Sequence, residues 1–173
     1  MNYFKDKEFK FIDLFSGIGG FHQAMSNIGG KCVLASEIDK WAIESYQLNY
    51  GIDSAHDITK IKDEEVPQHD VLCGGFPCQD VSIAGKQAGI VKGKTRSGLM
   101  YELLRVIEKL KPKYVIAENV KNILSYKHVA QLEEFLCILS KFGYAVTMDL
   151  LNASDYGIPQ NRERLFIVGV RND

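Results

Sequence analysis

Short apolar runs alternate with stretches of helical spacing along the chain. Phe9-Lys10-Phe11-Ile12-Asp13-Leu14-Phe15 is aromatic and β-branched and stops at Ser16-Gly17, the pattern of a strand. Phe21, Ala24, Met25 and Ile28 then recur at helical spacing, and Gly29-Gly30 closes that helix. Lys31 to Ser36 reads as a second strand. Asp39 is an N-cap for a helix from Lys40 to Tyr50 that Gly51 ends, with Trp41, Ile43 and Tyr46 expected to face the core wholly or in part. A short third strand is expected before His56-Asp57-Ile58. Asp70 to Cys73 is a buried strand that Gly74-Gly75 breaks. Leu99, Leu103, Val106, Ile107 and Leu110 form a helical stripe stopped before Pro112. Lys113 to Ala117 is a further buried strand. Val129, Leu132, Phe135, Leu136 and Leu139 mark the last long helix, closed by Gly143. Tyr144 to Leu151 and Leu165 to Val170 are two more strands. Roughly six or seven strands and at least four helices predict an α/β fold, a mostly parallel sheet with helices on both faces.

The chain of 173 residues, 46% hydrophobic and 25% charged, has the length of one domain, 1–173, able to bury a sizeable core. No apolar run is long enough to cross a bilayer, and Met1 to Lys10 lacks the apolar region of a signal peptide. The four cysteines, Cys32, Cys73, Cys78 and Cys137, include no Cys-x-x-Cys pair and no zinc-spaced cluster. Cys32, Cys73 and Cys137 lie in apolar or helical patterns and read as core residues, which fits a reducing cytoplasm. The formal net charge of −1 excludes nucleic-acid affinity built on bulk charge. Such affinity would have to come from local patches or a partner.

Two stretches carry candidate chemistry. In the first, a strand leads into Ser16-Gly17-Ile18-Gly19-Gly20, then a helix, then a strand closed by Glu37, about 20 residues after Gly17. This βαβ unit suits a nucleoside: the glycines let backbone approach the ligand, and the acid accepts hydrogen bonds from ribose hydroxyls. A dinucleotide fingerprint requires a third glycine, and His22 stands there. A nucleoside cofactor without a pyrophosphate, S-adenosylmethionine above all, fits better. Asp57 ends the expected third strand and is either an acceptor for an adenine amino group or a turn-former.

In the second stretch, Gly74-Gly75-Phe76-Pro77-Cys78-Gln79 follows a strand, at the edge where open α/β sheets bind ligands. Pro77 fixes its own φ and restricts Phe76, so the thiol of Cys78 is presented on a stiff bend. The segment from Gln79 to Ser97 has neither helical nor strand period and carries Lys86, Lys92, Lys94 and Arg96, with no acid after Asp80. Such a loop either meets phosphates or is simply solvated. Glu118 brings a carboxyl group to the same edge as Cys78. Arg162 and Arg164 alternate, so both are expected on one face of an extended segment or in a charged turn.

Taken together in order, these residues resemble the DNA cytosine-5 methyltransferases, especially the bacterial modification enzymes, from about Phe9 to Asp173. Phe11 to Gly20 resembles that family's cofactor motif, Glu37-x-Asp39 and Asp57-Ile58 its next two, and Gly75-Phe76-Pro77-Cys78-Gln79 its nucleophile motif. Glu118-Asn119-Val120 resembles its acid motif and Gln160-x-Arg162-x-Arg164 its arginine motif. One departure is Ile38, where some members carry an aromatic residue that stacks on adenine. The resemblance implies a Rossmann-like, S-adenosyl-L-methionine-dependent methyltransferase fold, with S-adenosyl-L-homocysteine as product. It implies cofactor contacts from Phe15, Gly17, Ile18, Gly19, Gly20, Glu37, Ile38, Asp57, Ile58, Pro77 and Leu99, and catalytic roles for Cys78, Glu118, Arg162 and Arg164. It implies double-stranded DNA as partner and a cytoplasmic, DNA-associated location.

The chemistry accounts for these residue types. A thiolate adding at cytosine C6 pushes electrons to C5, and a thiolate is intrinsically very nucleophilic. Glu118, protonated or sharing a proton with ring N3, would neutralise charge building on the ring, and Arg164 or Arg162 would hydrogen-bond the anion or a phosphate. The base must leave the duplex to be reached. Relatives in this family continue into a target-recognition region and a last segment that packs near the cofactor motif. The chain is expected to fold alone because every apolar stripe has a partner and, as the resemblance implies, to methylate DNA weakly or not at all and to need a complementing C-terminal polypeptide. A tRNA-methylating relative and a non-catalytic cofactor-binding subunit remain the alternatives.

Overall fold

The computed structural model describes residues 8–76 and 98–172. Among them, six strands form one sheet in the order β2-β1-β3-β4-β6-β5. They are β1 (Phe9–Leu14), β2 (Gly30–Ser36), β3 (Val71–Gly75), β4 (Tyr114–Val120), β5 (Tyr144–Asn152) and β6 (Glu163–Arg171). β1 to β4 pair in parallel, β6 is antiparallel to β4, and β5 is antiparallel to β6. Only β6 therefore runs against the rest. The carboxyl ends of the other five strands and the amino end of β6 share one edge. The chain passes from β1 outward to β2 and then returns to β3 on the other side of β1. That reversal opens a crevice at the carboxyl ends, where open α/β sheets take ligands.

Strand alternation divides the core. Ile12, Leu14, Leu72, Val115 and Ala117 point to the face covered by α3 (Gly98–Leu110) and α4 (Val129–Lys141). Leu103 and Ile107 of α3 are fully buried there, each worth about 1.5–3 kcal/mol of apolar transfer. Phe11, Val71 and Cys73 point the other way and pack with Phe21 and Met25 of α1 (Gly20–Asn27). Helices thus cover both faces, as the sequence pattern predicts.

The helix α2 (Lys40–Tyr50) has the expected bounds. The carboxylate of Asp39 accepts from the N–H groups of Trp41 and Ala42, and Gly51 at φ 66 ends the helix. Tyr46 is fully buried, whereas Trp41 is exposed, against expectation. Five residues turn a helix by about 140° beyond a full circle, so the two rings cannot share a face. Cys137 departs in the same way: its neighbours Phe135 and Leu139 are buried, while its own thiol is exposed.

Three strand expectations need correction. No strand precedes His56; instead the Glu37 N–H donates to Ser54 O and the Ser36 hydroxyl to His56 O, which tie an irregular segment to the end of β2. Gly74 and Gly75 do not break β3 but belong to it. Glycine stands at 74 because a β-carbon there would meet Leu103 Cδ1 at 2.9 Å and Leu14 O at 3.3 Å. Finally, β4 runs on through Glu118, Asn119 and Val120, because β6 pairs with them as far as Arg164. The expectations resting on Pro77, Cys78 and the segment from Gln79 to Ser97 lie outside the described residues.

Candidate active site

β1 leaves the sheet through a turn that few backbones adopt. Phe15 has φ 56, a left-handed value uncommon for a residue with a β-carbon, followed by Gly17 at φ 53 and Gly19 at φ 94. The Ser16 N–H still donates to Ser36 O at 3.0 Å, so the turn starts in register with β2. Across the crevice Glu37 holds the turn. Its Oε2 accepts from the Gly17 N–H at 2.8 Å, and its Oε1 accepts from the N–H groups of Ile38 and Asp39 at 2.8 and 2.9 Å. Of the four or so acceptor positions of a carboxylate, three are used by backbone and one, on Oε2, is left for a ligand.

These groups border a pocket of about 260 Å³ lined by Phe15, Ser36, Glu37, Ile38, Asp57, Ile58, Gly75 and Leu99. Six of those eight carry a predicted cofactor contact; Ser36 and Gly75 do not. Gly17, Ile18, Gly19 and Gly20 do not line it. Gly17 reaches it only through Glu37, and the Ile18 side chain is largely exposed. Asp57 is a turn-former that also borders the pocket. Its Oδ1 accepts from the Thr59 hydroxyl at 2.6 Å and the Thr59 N–H at 3.1 Å, closing a turn. The Thr59 hydroxyl, helped by Lys60, holds the Asp57 carboxyl below the usual carboxylate range. A larger depression, about 680 Å³, lies between residues 59–64 and 98–105. Its charged walls include Arg105, already paired with Asp63 and Glu102. No strand end reaches that depression, so the smaller pocket is the candidate for cofactor chemistry.

The ends of β3 and β4 build the second part. Gly75 pairs with Glu118, and a β-carbon at 75 would stand 3.3 Å from Glu118 Oε2. Arg164, at the start of β6, puts its Nε 2.9 Å from Glu118 Oε1, both side chains roughly three-quarters buried. Arg162 is exposed, and its backbone N–H donates to Asn152 Oδ1 at 3.0 Å. The two arginines therefore differ: Arg164 is built onto the acid and Arg162 is free to reach outward.

A model of the C-5 cytosine-specific DNA methylase family matches residues 9–173. The chain belongs to this DNA methylase family. It is 43% identical over 172 residues to the Type II methyltransferase M.HhaI of Haemophilus parahaemolyticus, a match covering 98% of this chain and 52% of that one. It is 44% identical over 169 residues to the Type II methyltransferase M1.ScrFI of Lactococcus lactis subsp. cremoris, covering 95% and 42%. Among solved structures, the S. pombe Dnmt2 methyltransferase superposes with a TM-score of 0.76 at 26% identity, over 96% of this chain and 51% of that one. The chain thus spans about half the length of the relatives it matches.

Within this DNA methylase domain, sequence reading missed residues that act from behind the motifs. Asn119 is buried; its Nδ2 donates to Phe76 O at 3.0 Å and its Oδ1 accepts from the Val120 N–H at 2.8 Å. It fixes the backbone one residue before Pro77-Cys78. On the α1 face, Asp13 is completely buried and neither carboxylate oxygen has a hydrogen-bond partner. Burial pushes its carboxyl up to about 8; the nearby His22 backbone N–H tempers the shift and the Glu37 charge adds to it. Around it lie His22, Tyr46, Cys32 and Cys73. Burial pushes the Tyr46, Cys32 and Cys73 groups up and the His22 imidazole down. The Asp13 position inside a strand run was visible, but its isolation depends on residues brought in from α1, α2 and β3. Among the described residues no His/Cys/Asp/Glu group is arranged to hold a metal, and no helix is long and apolar enough to cross a membrane.

Proposed function

We propose that this chain carries the cofactor-binding and catalytic part of a DNA cytosine-5 methyltransferase that takes its methyl group from S-adenosyl-L-methionine. The observation that carries the reading is the pocket at the carboxyl edge. Its apolar walls, Phe15, Ile38, Ile58 and Leu99, suit the faces of a purine, and its acceptors, Glu37 and Asp57, suit ribose hydroxyls and an exocyclic amine. At about 260 Å³ it sits at the small end for ligand pockets, the scale of a nucleoside rather than a dinucleotide. Ile38 replaces aromatic stacking by an apolar contact.

When bound, adenosylmethionine supplies an electrophilic methyl group on a sulfonium sulfur. The rest is the work of the chain. The Cys78 thiolate adds to C6 of the flipped cytosine, and the ring electrons move toward C5. Glu118 shares a proton with ring N3 and so limits the charge that builds there. Arg164 holds Glu118 in place by the 2.9 Å ion pair and adds a fixed positive charge beside the ring. Asn119 holds the Phe76 carbonyl, so the chain enters the segment with Cys78 from a fixed backbone. After C5 takes the methyl group, loss of the C5 proton and expulsion of Cys78 restore the aromatic ring. Arg162, being exposed, is available to a DNA phosphate. Double-stranded DNA is the proposed substrate, and a complementing C-terminal polypeptide the proposed reader of its sequence.

Calorimetric titration of the chain with adenosylmethionine tests the site. Glu37→Ala is expected to weaken binding by roughly tenfold or more, the loss of a charge-assisted hydrogen bond and of the turn it holds. Cys78→Ala is expected to leave it unchanged. Equal affinity of the wild type and Glu37→Ala would remove the proposed cofactor site.

A further inference from the structure

We propose that Tyr50 is a positioning residue for the cofactor, setting the Gly17–Gly19 turn from behind and thereby aiming the free lone pair of Glu37 at the ribose. The proposal rests on the reading of Glu37 as the ribose acceptor. Tyr50 is the last residue of α2, 31 positions from the turn in sequence. Its hydroxyl donates to Gly19 O at 2.9 Å. Its ring fills the space beside Gly19 so closely that a β-carbon there would lie 2.2 Å from Cε2. The turn is therefore pressed from one side by Tyr50. From the other side the Gly17 N–H is held by Glu37 Oε2 at 2.8 Å.

The same helix reaches Glu37 from its other end. The N–H of Asp39, the N-cap of α2, donates to Glu37 Oε1 at 2.9 Å. An 11-residue helix is a stiff rod of about 16 Å, so α2 braces the acid at one end and the glycine turn at the other. Tyr50 in turn has a rigid backing. The His22 ring stacks on it with centroids 3.9 Å apart and planes 16° from parallel, and His22 Nδ1 lies 2.6 Å from the Tyr46 hydroxyl, which is buried. His22 is the residue found where a dinucleotide fingerprint would have its third glycine. Here that position meets Phe11 of β1 edge-on and also supports a tyrosine. Three of the four acceptor positions of Glu37 are taken by backbone N–H groups, so the direction of the fourth follows the turn. A shift of Gly17 moves it.

The test is a double-mutant cycle on the purified chain, titrated calorimetrically with adenosylmethionine. Tyr50→Phe keeps the ring against Gly19 and His22 and removes only the hydrogen bond. It is expected to weaken binding roughly fivefold in the wild-type background, the scale of one neutral hydrogen bond. In the Glu37→Ala background it is expected to produce less than about a twofold further loss, because the group it positions is gone. An effect of equal size in both backgrounds would mean general loosening of the fold and would overturn the proposal. So would unchanged affinity of Tyr50→Phe where Glu37→Ala alone is weakened. Unchanged affinity of Glu37→Ala would overturn both this proposal and the cofactor site itself. Thermal melts of all four proteins accompany the titrations, and a Tyr50→Phe melt that drops while its affinity holds also counts against the positioning role.

Discussion

The buried carboxyl of Asp13 gives the stability of this domain a pH dependence opposite to that of an ordinary paired carboxylate. In the folded chain the group titrates at about 8, because burial opposes its charge and Glu37 adds repulsion. In the unfolded chain it titrates near 4. Between those values the folded state keeps a proton that the unfolded state gives up. Whatever Asp13 contributes is fully present below about pH 4 and is lost as pH rises toward 8. The limiting slope for one proton is about 1.4 kcal/mol per pH unit. Asp13→Asn removes that proton from both states. Urea unfolding followed by circular dichroism at pH 5, 6, 7 and 8 gives the stability of each protein. Asp13→Asn minus wild type is expected to grow steadily in favour of the variant across this range, by up to about 1.4 kcal/mol per unit. His22, whose folded-state titration is lowered by burial, contributes with the opposite sign in both proteins and largely drops out of the difference. Parallel curves for the two proteins, or a gap that narrows toward pH 8, would refute the reasoning.

Four further substitutions test the site. Asn119→Ala frees the Phe76 carbonyl and is expected to cost about 1–3 kcal/mol of stability and to lower methyl transfer about 100-fold with adenosylmethionine affinity retained, read by melts, rates and calorimetry. Arg164→Ala removes the partner of Glu118 and is expected to lower kcat about 100- to 1,000-fold, whereas Arg162→Ala is expected to lower it by less than about tenfold and to reduce the salt dependence of DNA binding. Gly19→Ala meets both a positive φ and the Tyr50 ring, so it is expected to destabilise the chain by about 1–3 kcal/mol in urea unfolding and to weaken adenosylmethionine binding in the same preparation.

Much of this architecture was legible because local signals and packing agree. The turn after β1, the cap at Asp39, the stop at Gly51 and the stripe of α3 each follow from a few adjacent residues. Glu37 was readable as the acid that closes β2; Asp57 was reached through an expected strand that is not there, yet both line the pocket. The misreadings arise where the partner is distant in sequence. Gly74 looks like a breaker until Leu103 and Leu14 are seen against it. Glu118 to Val120 read as the end of a strand that stops at Ala117 until β6 is seen to pair with them. Trp41 looks like core because it is large and apolar, but the helix phase set by buried Tyr46 turns it to solvent. The brace from Tyr50 to Gly19 joins residues 31 positions apart through a side chain and a carbonyl, and no spacing rule marks it.

The central claim is that methyl transfer goes to cytosine C5 through Cys78. It is tested by incubating the chain, with and without a complementing C-terminal polypeptide, with labelled adenosylmethionine and either duplex DNA or tRNA. The nucleosides are then separated to find the labelled atom. The account predicts label in 5-methylcytosine from DNA, weak or absent for the chain alone, strong on complementation, and lost in Cys78→Ser while adenosylmethionine still binds. Label on an exocyclic nitrogen, transfer to tRNA alone, or full activity of Cys78→Ser would contradict it.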